Sequence, residues 1–454
     1  MGFKRIDVKE IKGFKLGNAE NQATGTGCTV IISEEGAVAG VDIRGGGPAT
    51  RETDLLKSEN TVQFINAVVL SGGSAFGLEA GSGVMKYLED KGVGFNMGDR
   101  CIPIVTQASL YDLDVGSADV RPDVEMGKQA CISAYEDKFE HGNHGAGTGA
   151  SVGKLYGMDR AMKSSLGTFA CSDGVLEVGA IAAVNALGDV YNGNNNIIAG
   201  LLSKDKCYIK GSISVMKNHV HGEAGPEAPD IRDPFKRGDV NTTFKFDNGE
   251  EVDLAVEASV ENTADYLTEA AIKSTLESQV PLQAKAESLS ARAEPESASA
   301  VADASISNAE VTSVDPDTRG EVNDIEARIE ELQAELDDAG SDEPEYEPIT
   351  IEEMGYDVPF NTTISCLITN AKLTKPQANK LASILHDGYA RAIKPVHSTL
   401  DGDAIFVMST NQIEVNFDAF AALATDILQY SVIDSALAAT DAYGLKSSRS
   451  IIGK

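Results

Sequence analysis

An acidic, low-complexity segment interrupts the chain and most constrains how it can fold. The 454-residue sequence carries a formal net charge of −32. Residues 221–358 hold 36 acidic and 9 basic residues, a net charge of −27, so the rest of the chain is nearly balanced. Residues 280–320 are rich in Ala, Ser, Glu and Pro and poor in large apolar side chains. Such a composition cannot bury enough surface to offset the entropy of ordering, which predicts a mostly disordered stretch.

Two short patterns stand out within the acidic segment. Apolar residues recur at three- and four-residue spacing from Val322 to Leu336 and predict an amphipathic helix. That helix either rests solvated on its neighbours or binds a partner or another copy of the chain. The earlier stretch FKFDNGEEVDLAVEA predicts a hairpin with Asn248 and Gly249 at its turn.

The flanking parts alternate short apolar runs with glycine-rich turns. Strands are predicted at 62–70, within 175–192 and at 362–371, and a helix after 77 with Gly92 as its C-cap. Thr374 and Gln377 form a capping box that begins a helix, and a last helix is predicted at about 417–439. This mixture predicts sheets covered by helices.

Charge and hydropathy exclude several classes of protein. The acidic balance argues against a nucleic-acid binder, which needs a positive face. No stretch approaches eighteen consecutive apolar residues, and the N-terminal sequence lacks a secretory h-region, so we expect neither a membrane span nor Sec export. The six cysteines are far apart and form no C-x-x-C pair, which predicts free thiols in the cytoplasm.

Two glycine clusters and two histidine pairs match the patterns of phosphate-binding and metal-binding sites only loosely. The clusters 45–47 and 72–77 match neither G-x-G-x-x-G nor the P-loop, so turns with positive φ are favoured over a phosphate site. His141 with His144, and His219 with His221, have a spacing that a metal site could use, but their polar surroundings favour no metal.

The sequence Asn361-Thr362-Thr363 places hydroxyl residues at the start of a predicted strand, directly after the polar segment. Cleavage there would create an N-terminal Thr, whose α-amino group titrates near neutral pH and can accept the hydroxyl proton. Asp401 and Asp403 lie in LDGDAIFVMST, where spacing alone favours an ordinary turn before a strand. Chemistry alone leaves both interpretations open.

A family resemblance adds to these observations. Residues 359–410, PFNTTISCLITNAKLTKPQANKLASILHDGYARAIKPVHSTLDGDAIFVMST, resemble the self-processing amidases that include L-aminopeptidase D-Ala-esterase/amidase, β-peptidyl aminopeptidases and the nylon-oligomer endo-hydrolase. The likeness continues, in the family's order, through ENQATGTGCTVIISEEGAVAGVDIRGGGPATRETDLL, INAVVLSGGSAFGLEAGSGVMKYLE, GNHGAGTGASVGKLYGMDRAMKSSLGT and GAIAAVNALGDV. It covers nearly everything outside about 205–355.

The resemblance implies an αββα sandwich of the L-aminopeptidase D-esterase and ornithine acetyltransferase type, assembled as a homo-oligomer of cleaved protomers. Residues 1–220 and 356–454 would then be two parts of one catalytic domain. Residues 221–355 would be an insertion, which is the departure from the family pattern and puts efficient cleavage in question.

The resemblance also implies roles for individual residues. Thr362 matches the nucleophile released by autocleavage after Asn361. Asp401 and Asp403 match the pair that orients and activates this nucleophile.

Three further residues match positions near the family's nucleophile. Asn185 matches an amide that stabilises the oxyanion, and Lys154 and Tyr111 match further active-site residues. Without the resemblance, Lys154 would be interpreted as a surface lysine and Tyr111 as a core tyrosine. Cys366 is interpreted as a buried strand cysteine.

The implied activity is amide hydrolysis by a Thr nucleophile, most plausibly an aminopeptidase acting on short peptides or amino-acid amides and esters. The alternatives are an amidase for 6-aminohexanoate oligomers, an acetyltransferase on the same scaffold, and an uncleaved, non-catalytic scaffold. The Thr-nucleophile mechanism requires no metal or organic cofactor, and we expect a small substrate and neither nucleic acid nor membrane as a partner.

Overall fold

The computed structural model describes residues 2–217, 243–245, 251–253 and 361–453. All of them belong to one compact unit, which combines residues 1–278 and 357–454. The other unit, residues 279–356, contains none of the described residues. The amphipathic helix expected at 322–336 and the pair at 219 and 221 therefore lie outside the described residues.

The described residues form strands and helices in the following order. The strands are β1 (Lys4–Arg5), β2 (Lys15–Asn21), β3 (Thr26–Ile43), β4 (Ala49–Arg51), β5 (Phe64–Ser71), β6 (Phe95–Met97), β7 (Arg100–Ile102), β8 (Val105–Ser109), β9 (Ser151–Val152), β10 (Met162–Lys163), β11 (Leu166–Ser172), β12 (Glu177–Asn185), β13 (Asp189–Tyr191), β14 (Ile197–Ala199), β15 (Thr243–Lys245), β16 (Glu251–Asp253), β17 (Thr362–Ala371), β18 (Ile393–Lys394) and β19 (Ala404–Ile413). The α-helices are α1 (Ala80–Asp90), α2 (Val124–Tyr135), α3 (Ser212–Lys217), α4 (Lys375–Ala392), α5 (Phe417–Ala438) and α6 (Ser448–Ile452). Short 3₁₀ helices span Val8–Glu10, Asp54–Leu56, Ser74–Glu79, Gly145–Gly147 and Met158–Arg160.

A ten-stranded sheet organises the fold, in the order β1-β11-β12-β17-β19-β3-β5-β8-β4, with β2 paired to β3. The long strand β3 joins the two halves of this sheet. Its first part pairs with β2 and β5, and its last part, from Val38 to Ile43, pairs with β19. Strands from both sides of the acidic segment therefore lie side by side at the centre, where β17 pairs antiparallel with β12 and parallel with β19.

The side chains of the central strands alternate between two separate cores. Ile364, Cys366 and Ile368 of β17 lie in one core together with apolar residues of β3, β5 and β12. Leu367 points to the other face, where the core contains apolar residues of α4 and α5. Because neighbouring residues of a strand face opposite sides, a strand buried on both faces is apolar along its length.

The second half of the sheet has the same arrangement. Ile31 of β3 lies in the core that β17 also enters, whereas Val30 and Ile32 pack with apolar residues of α1 and α2. The layers therefore run from α4 and α5 through one half of the sheet, the shared core and the other half to α1 and α2. This is an αββα sandwich, and it confirms the expected fold class.

Several local predictions are confirmed. Thr374 is the N-cap of α4 and makes the capping box with Gln377. The C-cap of α1 is Lys91, and Gly92, predicted at that position, follows it with φ of 71°. β15 and β16 pair antiparallel as the predicted hairpin requires, although its turn lies outside the described residues. All six cysteines are free, and Cys366 is buried. In the described part of the chain, no helix is both long and apolar enough to cross a bilayer.

Candidate active site

The predicted site residues converge where three neighbouring strands begin or end. Thr362, only 3% exposed, is the first residue of β17. The antiparallel register with β12 places Asn185 directly opposite it. On the other side, Asp401 and Asp403 lie just before β19, and Asn361 forms a bridge with Asp401. The pairing of the strands therefore gathers residues far apart in sequence around one hydroxyl group.

The Asn361–Thr362 peptide is held by hydrogen bonds from both sides. The Thr362 hydroxyl donates to the carbonyl oxygen of Asn361, and the Gly402 N–H donates to the same oxygen at 3.0 Å. The Asn361 N–H donates to the Leu400 carbonyl at 2.9 Å. The carbonyl oxygen of this peptide is thus in contact with a hydroxyl group and with a backbone donor.

The orientation of the Asn185 amide is set by its neighbours. Its Oδ1 accepts hydrogen bonds from Lys154 Nζ at 2.8 Å and from the Ser151 N–H at 3.0 Å, both groups that can only donate. Its Nδ2 must therefore be the other terminal atom, and it donates to the Tyr111 carbonyl at 2.7 Å. Asn185 is fixed with its N–H groups on the side away from Lys154.

Lys154 is fully buried, with 1% of its surface exposed. It also donates to the Asn185 carbonyl at 3.1 Å. Burial lowers the pKa of Lys154 to about 7, against the opposing influence of Asp401, Asp114 and Asp112. Its ammonium charge is therefore easily lost near neutral pH.

Tyr111 contacts this group of residues through its main chain. Its carbonyl receives the Asn185 amide, while its hydroxyl donates to Asp114 Oδ1 at 3.3 Å. Burial raises the pKa of Tyr111, and the charge of Asp114 acts in the same direction. Asp114 also lines a pocket with Asp159, Lys206 and Tyr443.

Asp401 and Asp403 have different environments although they are two residues apart. Asp401 Oδ2 accepts the Ser398 N–H at 2.8 Å, and its buried Oδ1 has no hydrogen-bond partner among the described residues. Burial, reinforced by the charge of Asp403, raises the pKa of Asp401 to about 6. Asp403 Oδ1 instead accepts the Thr363 N–H at 2.7 Å.

Asp403 also contacts a histidine that sequence reasoning missed. Its Oδ2 accepts from His397, through the main-chain N–H at 3.2 Å and through ring atom Nδ1 at 2.7 Å. His397 lies six residues before Asp403 in the same family-like stretch. Attention to polar residues near the Asp-Gly-Asp pair could have found it.

The glycine cluster 45–47 supports the loop that carries both aspartates. The Gly47 N–H donates to the Asp401 carbonyl at 2.9 Å, and a Cβ at Gly46 would lie 2.2 Å from the Thr399 oxygen. Positive φ occurs at Gly45 but not at Gly46 or Gly47, so the expectation of turn glycines was only partly right. The cluster is glycine-rich chiefly because two backbones approach closely.

Within the described ranges, no cluster of three or more His, Cys, Asp or Glu residues is arranged to hold a metal ion. His144 is instead bonded to two carboxylates, Glu20 at 2.8 Å and Glu140 at 3.1 Å. In the cluster 72–77, Gly73 has a φ of 82°, as the prediction of a turn requires. Gly77 approaches the Gly72 carbonyl so closely that a Cβ would lie 1.8 Å from its oxygen.

Known proteins are similar to this chain in sequence and in fold. Over 174 residues the chain is 42% identical to an uncharacterized aminopeptidase of Mycobacterium leprae, an alignment covering 37% of this chain and 46% of that protein. Over 191 residues it is 30% identical to the 6-aminohexanoate-oligomer endohydrolase of a Kocuria species, covering 42% of this chain and 51% of that enzyme. The chain thus spans about half the length of each of these relatives.

Solved structures support the fold alone. A β-aminopeptidase from a Burkholderia species matches with a TM-score of 0.51 and 12% identity, over 100% of this chain and 94% of that one. The L-aminopeptidase D-Ala-esterase/amidase of Ochrobactrum anthropi, described as a variant of the Ntn hydrolase fold, matches with a TM-score of 0.50 and 14% identity, over 96% and 86%.

A family model spans most of the chain. It matches residues 6–216 and 319–450, and it therefore includes every residue of the site described above. The chain belongs to Peptidase family S58, and it is related to aminopeptidases and to nylon-oligomer hydrolases.

Proposed function

We propose that this protein is a self-processing amide hydrolase that cleaves its own Asn361–Thr362 bond and then uses Thr362 as an N-terminal nucleophile. The observation that carries this proposal is the pair of hydrogen bonds accepted by the Asn361 carbonyl. Its oxygen accepts hydrogen bonds from the Thr362 hydroxyl and from the Gly402 N–H. Nucleophile, scissile carbonyl and a donor for the developing oxyanion are thus already in contact.

Self-cleavage would proceed as an N-to-O acyl shift. The Thr362 hydroxyl loses its proton and attacks the Asn361 carbonyl carbon, and the Gly402 N–H stabilises the resulting oxyanion. When the C–N bond breaks, the Thr362 nitrogen takes up the proton that the hydroxyl lost, and the Asn361 acyl group remains as an ester on the Thr362 oxygen. Water then hydrolyses that ester, which releases the Asn361 carboxylate and leaves Thr362 with a free hydroxyl and a free amine.

Substrate hydrolysis would repeat this chemistry in the mature enzyme. The Thr362 amine accepts the hydroxyl proton, the oxygen attacks the substrate carbonyl, and an acyl-enzyme forms as the amine product leaves. Water then resolves the acyl-enzyme. Asn185 Nδ2 has one N–H bonded to Tyr111, and its second N–H would stabilise the oxyanion. Such a donor is worth roughly 3–4 kcal/mol in other enzymes.

The charged residues would hold the new N-terminus. Asp401 Oδ1 is buried and has no partner in the part of the chain that the structure describes, so it can accept a hydrogen bond from the Thr362 amine or hydroxyl. Lys154 and Asp401 attract each other electrostatically. The lysine therefore favours the ionised carboxylate and at the same time fixes the Asn185 amide.

The substrate class that we favour is a short peptide or an amino-acid amide or ester with a free amino group. Its support is the pocket that Asp114 lines, because this aspartate is bonded to Tyr111, next to Asn185. A carboxylate there would pair with a substrate ammonium group. Both the relative from Mycobacterium leprae and the solved structures are named as aminopeptidases.

A second candidate is an amidase for ω-amino-acid oligomers. The 30% identity to a 6-aminohexanoate-oligomer endohydrolase favours it, and so do Asn-Thr-Thr at 361–363 and Asp-Gly-Asp at 401–403. Rates on aminoacyl p-nitroanilides, on their N-acetylated counterparts and on 6-aminohexanoate oligomers would separate the two. An aminopeptidase should act on the first substrate and reject the second.

The mass of the denatured protein tests the processing step. Cleavage after Asn361 should yield a piece of 93 residues, which is about 10 kDa of the 47.8 kDa total, with Thr362 at its N-terminus. Thr362→Ala should remain a single inactive chain. Thr362→Ser is the matched control, because it keeps the hydroxyl and should still be cleaved. Cleavage of Thr362→Ala after Asn361 would contradict the assignment, and an uncut wild-type chain would favour the scaffold alternative.

We also propose that the cleaved protomers form a homo-oligomer in the cytoplasm. Phe95, Met97 and Ile102 of β6 and β7 are exposed apolar residues that another copy could cover. The six free thiols suit a reducing compartment. Light scattering of the cleaved protein tests the oligomer, and a monomer at micromolar concentration would contradict it.

A further inference from the structure

A row of four titratable side chains runs from Asp403 toward the surface. His397 Nδ1 lies 2.7 Å from Asp403 Oδ2, and His397 Nε2 lies 3.2 Å from His386 Nδ1. His386 Nε2 lies 3.2 Å from both the carbonyl oxygen and the Oδ1 of Asp42. We call Asp403, His397, His386 and Asp42 the histidine chain.

The histidine chain connects a buried carboxylate with a partly exposed one. Asp403 is 2% exposed and the His386 side chain is completely buried, whereas His397 is 18% and Asp42 is 28% exposed. Asp42 lies on β3, His386 on α4, and the other two members on the segment before β19. Arg44 Nε bonds Asp42 Oδ1 at 2.9 Å and neutralises the outer end.

The histidine chain is one proton short of a complete set of hydrogen bonds if both of its imidazoles are neutral. The three contacts between neighbouring members each need one proton to be hydrogen bonds, but two neutral imidazoles carry only one N–H each. If His397 donates to Asp403 and His386 donates to His397, then His386 Nε2 is an acceptor that faces two oxygens. If His386 donates to Asp42 through Nε2, its Nδ1 is an acceptor, and the deficit moves either to the contact between the two rings or to the contact with Asp403. Ionised carboxylates supply no proton, so the pattern is complete only with one additional proton.

We propose that the histidine chain holds this additional proton as an imidazolium on His397, and that His397 is the positioning residue that fixes Asp403 beside Thr363. The effect on catalysis rests on the proposed function, whereas the protonation itself does not. The imidazolium would donate to Asp403 through Nδ1 and to His386 through Nε2. His386 would then be neutral and would donate to Asp42.

The surroundings of the two rings favour His397 as the site of the charge. Burial lowers the pKa of His386, and the neighbouring His397 and Arg44 act in the same direction, while its bonds to Asp42 oppose them. His397 has a carboxylate at 2.7 Å instead. Tyr389 is a further titratable neighbour of both rings; it packs edge-on to His386 and donates its hydroxyl to Ser365 at 2.7 Å.

An imidazolium at this position has a consequence for Asp401. The charge of Asp403 is one of the causes that raise the pKa of Asp401, after burial. A positive ring bonded to Asp403 offsets that repulsion. Removing the ring charge should therefore raise the pH at which Asp401 ionises, and the acid limb of activity should move to higher pH.

The backbone at His397 suggests a clean pair of variants. Its φ is 57°, a conformation that Asn and Gly adopt more readily than other residues. His397→Gly removes the ring, and His397→Asn keeps an N–H donor near Nδ1 but cannot carry a charge. His144→Asn is the matched control, because that histidine is also bonded to carboxylates but lies outside the histidine chain.

Nitrogen-15 NMR of histidine-labelled Thr362→Ala protein tests the proton directly. At neutral pH we expect one ring of the chain with both nitrogens protonated, and this pattern should disappear in the Thr362→Ala, His397→Asn double variant. Two neutral rings in the spectrum would overturn the proposal. This result does not depend on whether the enzyme cleaves itself.

The pH profile of kcat/KM then tests the positioning role in the cleaved enzyme. His397→Asn should retain most of kcat at high pH, with the acid limb moved upward by roughly half a unit to one unit, the size expected for loss of a nearby charge. His397→Gly should show the same displacement and a lower kcat. Unchanged acid limbs in both variants would refute the positioning role. If the acid limbs are unchanged in both variants while the wild type is cleaved and active, the positioning role fails but the proposed function still stands.

Discussion

Two fully buried lysines in neighbouring segments have similarly lowered pKa values but different hydrogen-bond partners. Burial lowers the pKa of both Lys154 and Lys163 to about 7. Lys154 donates to the side chain and main chain of Asn185. Lys163 donates to three backbone carbonyls, those of Gly147, Ala150 and Ser164. A lowered pKa thus reports burial, and the role proposed for Lys154 depends on its contact with Asn185 rather than on its pKa.

Replacement of Lys154 is expected to have the largest effect on activity. Lys154→Met removes the ammonium that orients the Asn185 amide and favours the ionised Asp401. We expect kcat/KM to fall roughly 100- to 1,000-fold, the range seen when an oxyanion donor is lost. Steady-state kinetics on the preferred substrate measures the loss, and thermal unfolding should show that the variant is folded at the assay temperature. A variant with nearly wild-type kcat/KM would assign Lys154 a structural role like that of Lys163.

Asp401→Asn is expected to have the next largest effect. Because the pKa of Asp401 is raised to about 6, the carboxylate is ionised above that pH, so wild-type activity should fall as pH decreases through about 6. The variant should lose roughly 100-fold in kcat, as for other positioned acid–base groups, and its profile should lack that limb. The rate measured at several pH values checks this, and a limb retained in Asp401→Asn would assign it to another group.

Lys163→Met should have the smallest effect on activity and the larger one on stability. Its three carbonyls lose a donor, which costs about 1–3 kcal/mol of unfolding free energy for buried groups left unsatisfied. Denaturant unfolding measures this loss, while kcat/KM of the folded enzyme should stay nearly unchanged. A folded Lys163→Met protein without activity would contradict the prediction that Lys163 affects stability alone.

The same pair predicts a dependence of stability on pH. Each lysine has a folded pKa of about 7 against an ordinary value of 10.5, so the unfolded chain binds more protons between these values. Stability should therefore rise with pH across that window. Each methionine variant should show a smaller rise, which unfolding curves at several pH values would reveal.

Local signals in the sequence were sufficient for many elements. The capping box at Thr374 and Gln377 begins α4 as predicted, because its donors and acceptors lie within four residues. The apolar run at 362–371 is β17 itself. Gly46 and Gly72 were harder to interpret, because the backbones that approach them come from other parts of the chain.

The family, the fold class and six candidate site residues could be predicted from the amino-acid sequence, because they depend on local patterns and on a family resemblance that follows the order of the chain. The partners of those residues become visible in the folded structure alone. Asn185 meets Thr362 through the register of β12 and β17. His397 reaches Asp42 only through His386, from another element. Contacts between distant segments are set by strand pairing and packing, which no local pattern records.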